Sequence, residues 1–164
     1  MKVYGIIGYK NAGKTSLVER LVTEFCNRGL RVSTVKHAHH SFDLDAPGKD
    51  TYRHRTAGAE QVMMATSTRW VLMNELRTQP EPALADLLAR MADVDLVIVE
   101  GYKRDTHPKI EVWRAQTGHE MIAPNDPTVR AMATDSTPVI DRPLLDLNNT
   151  AAIADFIWND LQAP

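Results

Sequence analysis

Gly8, Tyr9, Lys10, Asn11, Ala12, Gly13, Lys14 and Thr15 spell G-x-x-x-x-G-K-T close to the start of the chain. The pattern has physical meaning where a buried strand leads into it and a helix leads out. Both are legible. Val3, Tyr4, Gly5, Ile6 and Ile7 form the short apolar run of a strand covered on both faces. Beyond the loop, Leu17, Val18, Leu21, Val22 and Phe25 recur at three- and four-residue spacing, and Gly29 supplies a stop. At average residue usage the bare pattern arises by chance in about one chain in 200 of this length, and the strand and helix around it reduce that further.

Without a Cβ, Gly8 and Gly13 let the backbone curl with its N–H groups inward, and the helix start adds partial positive charge. A polyphosphate fits that cradle. Lys14 would reach the β- and γ-phosphate oxygens, the Thr15 hydroxyl would ligate Mg²⁺, and Lys10, Asn11, Ala12 and Ser16 complete the candidate nucleotide-binding set. An acid is then expected at the end of another buried strand. Leu96, Val97, Ile98 and Val99 followed by Glu100 and Gly101 meet that requirement. Glu100 is the candidate metal-shell acid and, with Lys14, the candidate catalytic residue; Gly101 would let the backbone approach the γ-phosphate. The sequence departs here from the commoner Asp and from the Asp-x-x-Gly spacing of GTP switch proteins.

The 164 residues predict a single nucleotide-binding domain spanning 1–164. A net charge of -2 argues against a nucleic-acid partner held by phosphate neutralisation. Cys26, the one cysteine, cannot form an internal disulfide and is expected to pack near the end of the first helix. The N-terminus shows no signal-peptide pattern, and no apolar run approaches the ~20 residues of a membrane span. The expectation is a soluble, cytoplasmic chain with no membrane partner.

Arg31 to Lys36 reads as a second strand, feeding a polar loop from His37 to Asp50. A short helix is expected from about Asp50 to Gly58. Gln61 to Ala65 and Arg69 to Met73 read as a hairpin turned by Thr66, Ser67 and Thr68, a candidate sheet edge. Leu84, Leu87, Leu88 and Met91 form a helical stripe. Ile110 to Trp113 and Val129 to Ala133 are further strands, and Ile153, Phe156, Ile157 and Leu161 the buried face of a closing helix. The alternation predicts an α/β fold of P-loop NTPase type, with three α/β/α layers, a mainly parallel sheet and an edge hairpin. Ligands of such sheets sit beyond the strands' carboxyl ends, where Gly8, Glu100 and the histidine loop are expected to emerge.

His37, His39 and His40 with Asp43 and Asp45 could ligate a transition metal. Against that, His39 and His40 are adjacent and cannot both face one ion without a special backbone. The favoured reading is a mixed-charge surface in which Lys49 and Arg53 attract the phosphate of a phosphorylated or pterin-like ligand and Asp45 joins the magnesium shell. A solvated loop is the remaining alternative.

The residues resemble the molybdopterin-guanine dinucleotide biosynthesis protein B (MobB) family of small P-loop GTP-binding proteins. The likeness rests on Gly8 to Thr15; on Val35 to His40 with Asp43 and Asp45; on Pro47 to His54; and on Ala57, Gly58 and Ala59. It continues in Val99 to Lys103, in Lys109, Ile110 and Glu111, and in Ala133, Thr134 and Asp135. It thus runs in order from about Val3 to Asp135.

The resemblance implies a role in joining a GMP unit to molybdopterin, the last step in making the guanine dinucleotide form of molybdenum cofactor. In that family the chemistry belongs to a separate guanylyltransferase, MobA, which the P-loop protein binds and assists. GTP and Mg²⁺ are the implied cofactors, and molybdopterin or its guanine dinucleotide is a further candidate ligand. Weak GTPase activity and a homodimer are also implied; the hairpin from Gln61 to Met73 could extend a sheet between chains.

The P-loop sees only phosphates, and the Asn-Lys-x-Asp base-reading motif is absent. Asp135, at the end of a late strand, could accept from guanine N1 and N2; a plain turn residue is the alternative. No Gln occupies an obvious water-orienting place and no Arg is a clear arginine finger, so slow intrinsic hydrolysis is expected. Two rival classes remain open, a metal-insertion chaperone using His37, His39 and His40, and a small-molecule kinase.

Overall fold

The computed structural model describes residues 1–38 and 45–163. The chain divides into two compact units, residues 38–90 and the remainder on either side. In chain order the first unit contains β1 (Lys2–Ile7), α1 (Lys14–Asn27) and β2 (Val32–Lys36), and the inserted unit contains α2 (Asp50–Thr56), β3 (Gln61–Ala65), β4 (Trp70–Asn74) and α3 (Leu84–Leu88). The first unit resumes with β5 (Leu96–Glu100), β6 (Lys109–Trp113), β7 (Val129–Thr134), β8 (Leu144–Asp146) and α4 (Thr150–Asp160).

The strands of the first unit make one sheet in the order β2-β5-β1-β6-β7-β8, with every neighbouring pair parallel. Strands buried on both faces read as continuous apolar runs, and all of β5 is buried. On one face Tyr4, Ile6, Leu96, Ile98, Ile110 and Val112 meet Leu17, Leu21 and Phe25 of α1 and Ile153, Ala154 and Ile157 of α4. The other face carries a smaller cluster, Ile7, Ala123, Val129 and Met132, with Trp113, Met121, Ile122 and Ile140 against it. Its cover within this unit includes a 3₁₀ turn, Ala123–Asn125, rather than a long helix.

The α/β class and the parallel sheet follow the expectation from sequence. Two details differ. Cys26 is exposed instead of packed, because the buried stripe of α1 runs through Leu17, Val18, Leu21 and Phe25 and the next residue lies about 100° further round the helix. The short strand β8 pairs with β7 over Met132–Leu144 to Thr134–Asp146 and was not anticipated.

In the inserted unit β3 and β4 pair antiparallel, Gln61 opposite Asn74 and Ala65 opposite Trp70, and form a sheet of their own. The edges this hairpin offers are therefore its own, not those of the main sheet. Thr66 closes its turn, donating from its backbone N–H to Arg69 O over 2.8 Å. Met63, Met64, Trp70 and Leu72 are exposed on it. Before the hairpin, Arg55 lies between two acids, Nη1 at 3.1 Å from Glu75 Oε1 and Nε at 3.7 Å from Asp45 Oδ2, and Thr51 donates to Asp45 Oδ1 over 2.9 Å.

Candidate functional site

The central strand β1 lies between β5 and β6, so the loop leaving it emerges where strand order changes direction. Gly8 has φ +142°, and a Cβ there would stand 2.3 Å from the carbonyl oxygen of Val112 at the end of β6. A side chain is sterically excluded, and the absence of one lets the loop press against the neighbouring strand. Asn11 at φ +65° completes the curl. Gly13 is the N-cap of α1 in a left-handed conformation, with no side-chain capping bond and no acid in the first turn. The first N–H groups of a 14-residue helix are thereby left uncapped by side chains.

Lys14 reaches back along the loop and donates from Nζ to Tyr9 O over 2.7 Å. Partial burial lowers its ammonium pKa, Glu100 acts in the opposite direction, and Lys103 and Lys36 repel it. The Thr15 hydroxyl donates to Glu100 Oε1 over 2.9 Å, and Lys36 Nζ lies 3.3 Å from the same oxygen. Register explains the meeting: Lys36 is directly opposite Glu100 where β2 pairs with β5, and Ile6 is opposite Glu100 where β1 pairs with β5. Glu100 is 9% exposed. Immediately after it, Gly101 has φ +101°, and a Cβ there would stand 2.9 Å from the His37 Cβ. His37 and Tyr102 stack with ring centroids 4.5 Å apart.

Further residues gather here that sequence reasoning did not assign to the site. Lys103 Nζ sits 4.1 Å over the Tyr9 ring, its pKa lowered chiefly by burial, and Tyr9 stacks on His119 at 4.8 Å. Arg114, one residue beyond β6, lies against Gly13 and pairs with Asp135 at 3.5 Å. Lys103 sits in the stretch Val99 to Lys103 and Lys36 in Val35 to His40, both singled out from sequence; their meeting with the loop, like the place of Arg114, follows from strand pairing, which carries no local signal.

Of the sequence candidates, Gly8 to Ser16, Glu100, Gly101 and Asp135 belong to the first unit. Asp45, Lys49 and Arg53 belong to the second. There Asp45 is engaged by Thr51 and Arg55, Lys49 caps α2 by accepting from Arg53 N at 3.0 Å, and Arg53 lines a cavity of about 510 Å³ with Asp50, His54, Thr56 and Ala57. Of the proposed transition-metal ligands, His39, His40 and Asp43 lie outside the described residues. Among the described residues no group of three or more His, Cys, Asp or Glu side chains could hold a metal ion. Among them, too, no helix is long and apolar enough to cross a membrane.

A parallel α/β sheet whose central strand opens into a Gly-Lys-Thr loop, with an acid beside the threonine, has the architecture of a phosphate-loop protein. The model of the family MobB, molybdopterin guanine dinucleotide synthesis protein B, matches residues 3–135, and the chain belongs to that family. It is 44% identical over 161 residues to the molybdopterin-guanine dinucleotide biosynthesis adapter protein of Haemophilus influenzae, covering 94% of this chain and 86% of that one. The protein of the same description from Escherichia coli is 40% identical, with 94% and 90% covered. The crystal structure of Bacillus subtilis MobB superposes with a TM-score of 0.77 at 21% identity, covering 100% of both chains. The MobB homologue of Bacillus stearothermophilus gives a TM-score of 0.70 at 27% identity, covering 99% of each.

Proposed function

We propose that the protein is a cytoplasmic GTP-binding adapter in molybdopterin guanine dinucleotide synthesis, with slow intrinsic GTPase activity, that assists the guanylyltransferase MobA. The observation that carries this reading is the meeting of Lys14, Thr15 and Glu100 at the start of α1. Relatives covered over most of their length are described as adapters of that pathway, which supplies the role.

A triphosphate in the loop would take Lys14 Nζ from Tyr9 O and accept from the first N–H groups of α1. Thr15 and Glu100 present a hydroxyl and a carboxylate, the hard oxygen donors that suit Mg²⁺, directly or through its waters. When bound there, Mg²⁺ would neutralise charge on the β- and γ-phosphates. Lys14 and Lys103 would stabilise charge developing as the γ-phosphoryl group leaves, and Gly101 would keep the backbone close. Asp135 would accept from guanine N1–H and N2–H, giving preference over adenine. Lys49 and Arg53 would serve an anionic pterin ligand, and the hairpin bearing Trp70 and Met63 would join two copies of the chain.

Calorimetric titration with GTP and ATP, with and without Mg²⁺, tests the reading, followed by GTP turnover and dinucleotide synthesis with MobA added. Magnesium-dependent preference for GTP and an increase in product with the partner are expected. Equal affinity for both nucleotides with no partner effect would overturn it.

A further inference from the structure

We propose that Arg114 is a specificity-positioning residue. It orients Asp135 for the guanine edge and, by lying on Gly13, ties base recognition to the phosphate loop. The proposal rests on the nucleotide reading above and adds a residue and a cavity to it.

The geometry is local to the carboxyl ends of β6, β7 and β8. A Cβ built on Gly13 would stand 3.6 Å from Arg114 Nη2 and 3.7 Å from Nε, so the guanidinium packs against the N-cap of α1. Its Nη1 is 3.5 Å from Asp135 Oδ2, and Nε is buried without a hydrogen-bond partner. The backbone beneath is fixed, because Arg114 O accepts from Thr117 N at 3.1 Å and from Thr117 Oγ1 at 2.8 Å. Asp135 in turn lines an open cavity of about 560 Å³ with Thr134, Ser136, Thr137, Leu144, Leu145 and Asp146. That volume is in the range of small-ligand sites, roughly 300–1,000 Å³. The cavity opens at the end of β7, which is two strands from β1 in the sheet, about 10 Å by ordinary strand spacing. A ribose and one phosphate bridge such a distance.

A carboxylate presents two oxygens, which match the two guanine donors. Arg114 pairs with one of them and so orients the group. At 3.5 Å its grip on Oδ2 is looser than a good hydrogen bond, and Oδ1 accepts from the Ser136 hydroxyl at 3.1 Å. Both oxygens can therefore still accept from a ligand. A lone glycine-rich loop would bind any triphosphate; the Arg114 and Asp135 pair gives it a means of discriminating between bases.

The test compares wild type, R114M, R114K, D135N and the R114M/D135N double variant, titrated with GTP, XTP and inorganic triphosphate in Mg²⁺. Asp135→Asn is expected to move preference from GTP towards XTP. Arg114→Met is expected to weaken GTP about 10-fold while inorganic triphosphate changes less than about 2-fold. Arg114→Lys should recover most of the GTP affinity, and the double variant should bind GTP no more weakly than D135N alone. Equal weakening of GTP and triphosphate in R114M would make Arg114 a phosphate ligand and overturn the proposal, as would unchanged GTP affinity. R114K keeps the charge and most of the packing, so it distinguishes a folding defect from loss of the pair. A wild-type protein that binds neither GTP nor triphosphate would overturn the nucleotide reading itself.

Discussion

The Thr15 hydroxyl donates to Glu100 Oε1 across 2.9 Å, joining the first turn of α1 to the last residue of β5. The contact aligns two oxygen donors at the end of the sheet where the phosphate loop opens. Glu100→Gln keeps an acceptor for Thr15 and the side-chain volume but removes the charge. Nucleotide affinity without metal should change little, the gain in affinity on adding Mg²⁺ should fall about 10-fold, and turnover should drop about 100-fold. Titration with and without Mg²⁺ and phosphate release are the measurements; unchanged turnover would remove Glu100 from the metal shell.

Lys14→Ala removes the loop side chain that would place a positive charge on the β- and γ-phosphates. Triphosphate affinity should fall about 100-fold or more, the loss of charge-assisted hydrogen bonds at a desolvated site. The fold should be nearly unaffected, because the lost bond to Tyr9 O is exposed and such sites contribute about 0.5 kcal/mol. Thermal unfolding would separate the two effects. Retained affinity would displace the loop as the binding site.

Gly8 and Glu100 were legible because each belongs to a local pattern, a loop between strand and helix and an acid closing an apolar run. The contacts of Lys36 and Arg114 were not: the first meets Glu100 through the pairing of β2 with β5, and the second meets Gly13 because β6 flanks β1. Parallel register is set by contacts remote in sequence. The three-residue strand β8, Leu144–Asp146, was too short to show a period, and its pairing with β7 is what shapes the cavity beside Asp135. Cys26 was misplaced by one position of helical phase.

Lys14 and Lys103 both have pKa values lowered from 10.5, chiefly by burial. A bound triphosphate favours their charged forms and raises both values, so binding takes up protons wherever the empty site is partly deprotonated. Affinity should accordingly fall as pH rises through the lowered values, before the ordinary lysine range is reached. For the empty protein the sign is reversed: the unfolded chain holds more protons in that window, so this contribution to stability increases with pH. Titrations in buffers of different ionisation enthalpy between about pH 7 and 10 would detect the uptake. Lys103→Ala should reduce it; a flat profile would show that both ammonium groups are already charged in the empty site or lie away from the ligand.

Glu111 is fully buried on β6, and its carboxylate accepts from Ile122 N at 2.9 Å and Ala123 N at 2.8 Å. These bonds hold the turn that covers Ile7, Val129 and Met132, and the same segment brings His119 against Tyr9 in the phosphate loop. Glu111→Ala leaves two amides without their acceptor and should cost about 3 kcal/mol, read as a lower urea midpoint at unchanged slope. Burial raises the carboxyl pKa above 4.5, more than its backbone hydrogen bonds lower it. The folded state therefore binds the extra proton, and this contribution to stability is complete below 4.5 and lost as pH rises through the raised value. Glu111→Gln carries no such titration. The stability of wild type relative to E111Q should decline as pH rises from about 4.5 towards neutrality. A constant difference would show that the two amide bonds already offset the burial of the charge.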